Sequence, residues 1–92
     1  VELRFEWHEE KAKENLKKHG ISFDEAKTIF NDPFSITITD LEHSLAEERY
    51  IDIGLSSRGQ LLVVVYTERQ SKIRIISCRQ ATKAEQKVYE QS

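Results

Sequence analysis

The 92-residue chain has one cysteine, one proline, three glycines and no methionine. Lone Cys78 can form no internal disulfide, and a reducing cytoplasm is the simplest compartment for it. It lies in a predicted strand, where a thiol is a small buried hydrophobe rather than a nucleophile. With no second cysteine and only His8, His19 and His43 scattered along the chain, neither a zinc site nor any other metal or cofactor is expected. No apolar run approaches the roughly 18 to 20 residues that span a bilayer, so no membrane role is expected. Nor is there a repeat, a linker or a low-complexity stretch, and residues 1–92 are expected to form one domain.

Charge is plentiful but unevenly placed. Residues 1–57 hold seven Lys or Arg against thirteen Asp or Glu, whereas residues 58–92 hold seven against three. An acidic chain with evenly spread charge would argue against nucleic acid as a partner, but a local basic patch suffices for a few phosphates.

That patch lies in residues 61–79, LLVVVYTERQSKIRIISCR. Two β-branched runs flank the polar insert at 68–72, the pattern of a hairpin at the middle of a sheet. The first run is apolar on both faces, as a covered strand requires. Arg69, Lys72, Arg74 and Arg79 cluster here with only Glu68 against them, a set suited to an RNA phosphate.

Elsewhere, residues 3–7 alternate as a short edge strand, and residues 9–18 form a helix with acids in its first turn, bases in its last and Gly20 as its cap. Its apolar stripe is Ala12 and Leu16, flanked by Asn15 and His19. Ser22 and Glu25 have capping-box spacing, which starts a second helix that the Asn31-Asp32-Pro33 stop ends. Strands near 34–39, 47–55, 60–68 and 72–78 follow as an antiparallel meander, and Thr82 with Glu85 caps a last short helix.

In order, the motifs FEW, KAKENLKKHGISFDEA, FNDP, HSLAEERYIDIGLS, VVVYTER and RIISCRQATKAEQKVYE span most of the chain and resemble the BrnT family of toxins. His8, Gln60 and Cys78 depart from the family pattern. The resemblance implies an α+β fold of the RelE type: two N-terminal helices packed on a small antiparallel β-sheet, with a short C-terminal helix. It also implies a metal-independent endoribonuclease that arrests translation. A BrnA-like antitoxin would neutralise it, in a heterotetramer of two toxins with an antitoxin dimer, and promoter DNA would be met only through that antitoxin. The alternative is a non-catalytic or gyrase-directed ParE-like protein acting through protein contacts.

For RNA cleavage by attack of a 2′-hydroxyl, arginine supplies cations for the phosphorane while a base and an acid move protons. Arg69, Arg79 and Arg49 match the family's motif as catalytic candidates, with His43 as either acid or base and Glu47 as its opposite partner. Arg74, Lys72, Lys18, His19 and Tyr66 are the expected RNA-binding residues, although the place of Tyr66 in an apolar strand favours packing and Lys18 and His19 first satisfy the dipole of their helix.

Overall fold

The computed structural model describes residues 2–43 and 47–92, without the side chain of His43. The order along the chain is strand β1 (Arg4–Trp7), helix α1 (Glu9–His19), helix α2 (Phe23–Ala26) and a 3-10 helix (Lys27–Asn31). Strand β2 (Ile36–Asp40) and a 3-10 turn (Leu41–His43) come next, then β3 (Arg49–Leu55), β4 (Leu61–Arg69), β5 (Lys72–Gln80) and α3 (Lys83–Gln91).

The sheet corrects the expected fold. It is a mixed sheet of five strands in the order β1-β5-β4-β3-β2, with β1 parallel to β5 and every other pairing antiparallel. The helices do not precede the sheet, because β1 comes first and α1 and α2 lie between β1 and β2. The physical reason is parity. The helical crossover delivers β2 to the far edge running opposite to β1, and the four-stranded meander returns β5 beside β1, pointing the same way. Alternation in the sequence fixes a strand's faces, not its partner.

The main core lies between the helices and one sheet face, where Ile21, Phe23, Ala26 and Ile29 pack on Leu62, Val64, Tyr66, Ile73, Ile75 and Cys78. Each fully buried aliphatic side chain here contributes about 1.5–3 kcal/mol. Aromatic rings stitch the elements together: Phe5 meets Phe30 at 5.3 Å, Phe30 meets Tyr66 at 5.0 Å, and Tyr66 meets Tyr50 at 5.6 Å. Gly54 permits this packing, since a Cβ there would lie 3.0 Å from Ile29 Cβ and 3.2 Å from Ser35 Cβ.

Three local expectations are revised. Leu16 is exposed, and the buried residue of α1 is Asn15. Strand β1 pairs with β5 only from Lys72 to Ile75, so α1 meets the free edge beyond it. There Asn15 Oδ1 accepts the Cys78 backbone N–H at 3.0 Å, while Asn15 Nδ2 donates to the Ile21 carbonyl at 3.1 Å. A side chain thus replaces the missing strand.

The second helix is a single α turn followed by a 3-10 segment, and its capping box is half made. Ser22 Oγ accepts the Glu25 N–H, but the Glu25 carboxylate turns inward and accepts Ser56 Oγ–H at 2.7 Å and Gln60 Nε2–H at 2.8 Å. Gln60 therefore helps tie the β3–β4 turn to α2.

The hairpin insert is shorter than the polar run suggests. Strands β4 and β5 pair up to Arg69 and Lys72, leaving Gln70 and Ser71 as a two-residue turn with φ of 51° and 66°. Both are left-handed, as a type I′ turn requires, although neither is glycine.

Candidate functional site

Residues two apart on a strand share a face, and register decides which residues of neighbouring strands stand side by side. On the face turned away from α1 and α2, one cross-strand row runs Asp40, Arg49, Thr67, Arg74, Glu6, with one residue from each of the five strands. The next row toward the hairpin turn holds Arg69, Lys72 and Arg4. Five cations, Arg4, Arg49, Arg69, Lys72 and Arg74, therefore occupy one end of this face.

A bulge in β5 makes the arrangement possible. Pairing shifts between Val65 and Tyr66, so Val65 faces Ser77 while Tyr66 faces Ile75, and Ile76 is the extra residue. The shift keeps Ile73, Ile75 and Cys78 on the core face and leaves both Arg74 and Arg79 on the opposite one.

Two carboxylates flank the cations. Glu6 Oε2 accepts Arg74 Nη1–H at 3.2 Å, and Glu6 Oε1 lies 4.0 Å from Lys72 Nζ. Glu47 Oε2 lies 3.9 Å from Arg69 Nε and accepts Thr67 Oγ1–H at 3.4 Å. Apart from the buried Thr67, these are loose contacts between partly exposed side chains, and such ion pairs contribute only about 0–1 kcal/mol. A phosphate that takes a paired hydrogen bond from a guanidinium can displace them.

Arg79 is held differently. It shares a row with Val63 and Ile53, four residues along β4 from Thr67, which is roughly 13 Å at the usual rise. Its Nη1 and Nη2 donate to the two Glu85 oxygens at 2.7 and 2.8 Å. Glu85 also completes the Thr82 capping box. The Arg79 bond, aided by the Thr82 N–H and opposed by partial burial, holds the Glu85 carboxyl down to about 2. The same bond raises the Arg79 guanidinium above its ordinary value.

This pair anchors α3, which has no buried residue of its own. Tyr89 provides the second anchor, donating its hydroxyl to Asp32 Oδ2 at 2.6 Å. That bond pushes the Tyr89 phenol up to about 12. Burial opposes ionisation of Asp32, but hydrogen bonds from Tyr89 and from the Leu55 and Phe34 amides outweigh it and hold the carboxyl below its usual range.

The structure thus brings together Arg49, Arg69, Arg74, Lys72 and Glu47 from the sequence candidates and sets Arg79 apart. Tyr66 faces the core, 5% exposed, and donates its hydroxyl to the buried Asp52 Oδ1 at 2.9 Å. Burial disfavours the charged form of both groups and so raises the pKa of each. Tyr66 is therefore closed to RNA in this structure. Lys18 and His19 line a separate hollow of about 270 Å³ beside Ile76 and Ser77, at the α1 edge of the sheet. The catalytic assignment of His43 concerns a side chain outside the described residues.

Glu6, Thr67 and Arg4 join the site only through register. The alternation of residues 3–7 puts Arg4 and Glu6 on a polar face, but no sequence signal says that the face adjoins β5. No group of three or more His, Cys, Asp or Glu among the described residues is arranged to hold a metal ion.

Comparison with known proteins bears on this geometry. Residues 7–85 match the model of the family described as the ribonuclease toxin, BrnT, of type II toxin–antitoxin systems. The crystal structure of the Brucella abortus ribonuclease toxin BrnT superposes with a TM-score of 0.68 at 21% identity, covering 89% of this chain and 100% of that one. At that identity the likeness is one of fold. No curated protein matches the chain.

Proposed function

The chain belongs to the BrnT family, the ribonuclease toxins of type II toxin–antitoxin systems, and from that premise we propose that the Arg49–Thr67–Arg74 row is where it cleaves RNA, without a metal. The spacing of these three residues supports the assignment. Arg49 and Arg74 are two strands apart, roughly 10 Å between backbones, and Thr67 stands between them. Arginine side chains are long enough to meet over one phosphate above Thr67 from that separation, once the phosphate displaces Glu6 from Arg74, and each can form two hydrogen bonds with its oxygens.

Attack of the 2′-oxygen on phosphorus builds negative charge on the phosphorane, and the paired guanidinium groups oppose it in a site whose cations are already in place. Arg69 and Lys72, one row further on, grip the neighbouring phosphate. Glu47 is the carboxylate positioned to take the 2′-proton, because displacement from Arg69 by that phosphate frees its oxygens beside the row. The side chain of His43 is the proposed acid for the departing 5′-oxygen, imidazole being the side-chain type suited to proton transfer near neutral pH.

In the cell this activity would arrest translation by destroying messages. An antitoxin dimer would neutralise two toxins by covering the row, and promoter DNA would be reached through that antitoxin alone. The test is incubation of the purified chain with a defined end-labelled RNA, with and without EDTA. Cleavage unaffected by EDTA, leaving 2′,3′-cyclic phosphate ends, is expected. Cleavage that EDTA abolishes would overturn the metal-free mechanism, and RNA left intact would place the action in protein contacts.

A further inference from the structure

The β1 edge of this sheet is blunted. Strand β1 is four residues long and carries Arg4 and Glu6, and Asn15 occupies the edge of β5 beyond it at Cys78. Strand β2 is different. It pairs with β3 over Ile36–Asp40, and no strand among the described residues pairs with its other side. Its sequence, ITITD, has high strand propensity and holds no lysine, proline or bulge that would discourage further pairing. Apolar side chains crowd this edge: Phe34 is 73% exposed just before it, Ile38 44% within it and Leu41 83% just after it.

Along the sequence the charge of this stretch is one-sided, with Arg49 of β3 beside Asp40 as the nearest cation the register supplies. Between Lys27 and Arg49 there is no Lys or Arg, while Asp32, Asp40, Glu42, Glu47 and Glu48 all fall in that interval. Antiparallel pairing of two copies through β2 would set the Asp40–Glu42 end of one chain beside the Asp32 end of the other, acid against acid. A strand that brings cations suits this edge better.

We propose that β2 receives an extended segment of the antitoxin, β-branched or apolar at alternate positions and carrying Lys or Arg, which adds to the sheet as a sixth strand. Main-chain hydrogen bonds supply the pairing, and Ile38 with its neighbours takes the alternate side chains. The added strand lies about 4.8 Å beyond Asp40, in line with the row that contains Arg49. A partner docked here has its chain beside the basic row without needing to be acidic along its whole length. The inference rests on the pairing of this family with an antitoxin and is independent of how RNA is cleaved.

Amide hydrogen exchange of the chain, alone and mixed with the antitoxin encoded beside it, tests this. The outward-facing amides of 36–40 should exchange at least roughly tenfold more slowly in the complex, alternate residues responding most. Ile38→Lys should weaken the complex about tenfold or more, and Glu42→Lys about threefold with a shallower salt dependence. Circular dichroism of each free variant separates misfolding from lost contact; should Ile38→Lys unfold, Glu42→Lys and the exchange data still decide. Unchanged exchange at 36–40 in the complex, or no complex at all, would overturn the proposal. So would protection that rises with concentration of the chain alone, which would mean self-pairing. RNA cleavage by the same preparation reports on the ribonuclease reading separately.

Discussion

Arg49 and Arg74 stand in a single cross-strand row with only Thr67 between them, although 24 positions separate them in the chain. Their spacing suits a phosphate held from both sides. Replacing either with alanine should lower RNA cleavage by about 10²–10³-fold, the usual loss when one pre-positioned charge donor is removed. Both lie on a partly exposed face, so the unfolding free energy should change by less than about 1 kcal/mol. Single-turnover cleavage and urea unfolding of each variant measure the two effects.

Arg79→Ala should behave in the opposite way. Its forked pair with Glu85 holds α3, so its loss should cost about 1–3 kcal/mol of stability and affect cleavage far less than loss of Arg74. Proteolysis of the C-terminal segment, compared between wild type and variant, checks the docking directly.

The same pair sets an acid dependence. The Glu85 carboxyl is held down to about 2 from an ordinary 4.5, so its stabilising contribution is complete above about pH 4.5 and disappears as pH falls toward 2. Wild type should therefore exceed Glu85→Gln in thermal midpoint at pH 6. The gap should close across that acid window, and a gap constant down to pH 2 would contradict the assignment.

Much of this architecture is legible in the sequence, and most of the part that is not has one cause. The alternation in residues 61–67 identifies a covered central strand, and Thr82 with Glu85 marks the last helix, because both signals are local. Parallel pairing of β1 with β5 depends on a crossover that no local pattern encodes. The same applies to Glu6, which the row acquires from a strand 68 residues away. Asn15 was hidden for another reason: a helix beside an open strand edge needs a hydrogen-bonding group where an apolar stripe would otherwise be expected.

That role of Asn15 gives a stability prediction. Asn15→Leu preserves bulk but leaves the Cys78 amide without its acceptor, and a buried unpaired donor costs about 1–3 kcal/mol. Urea unfolding should show the loss. Exchange of the Cys78 amide should accelerate in the variant, which a simple packing defect elsewhere in α1 would not cause.

The hairpin turn offers the reverse case. Gln70 and Ser71 hold left-handed backbone conformations that Asn and Gly adopt at lower cost. The double change Gln70→Asn, Ser71→Gly should stabilise the fold by roughly 1 kcal/mol, read as a higher urea midpoint with an unchanged slope.

The most direct test of the central claim compares Arg74→Ala and Arg79→Ala in cleavage of one end-labelled RNA, with both proteins confirmed folded at the assay temperature. Near-complete loss of cleavage in Arg74→Ala with substantial activity in Arg79→Ala is the expected result. Full activity in Arg74→Ala, or loss confined to Arg79→Ala, would contradict the placement of the site on the Arg49–Thr67–Arg74 row.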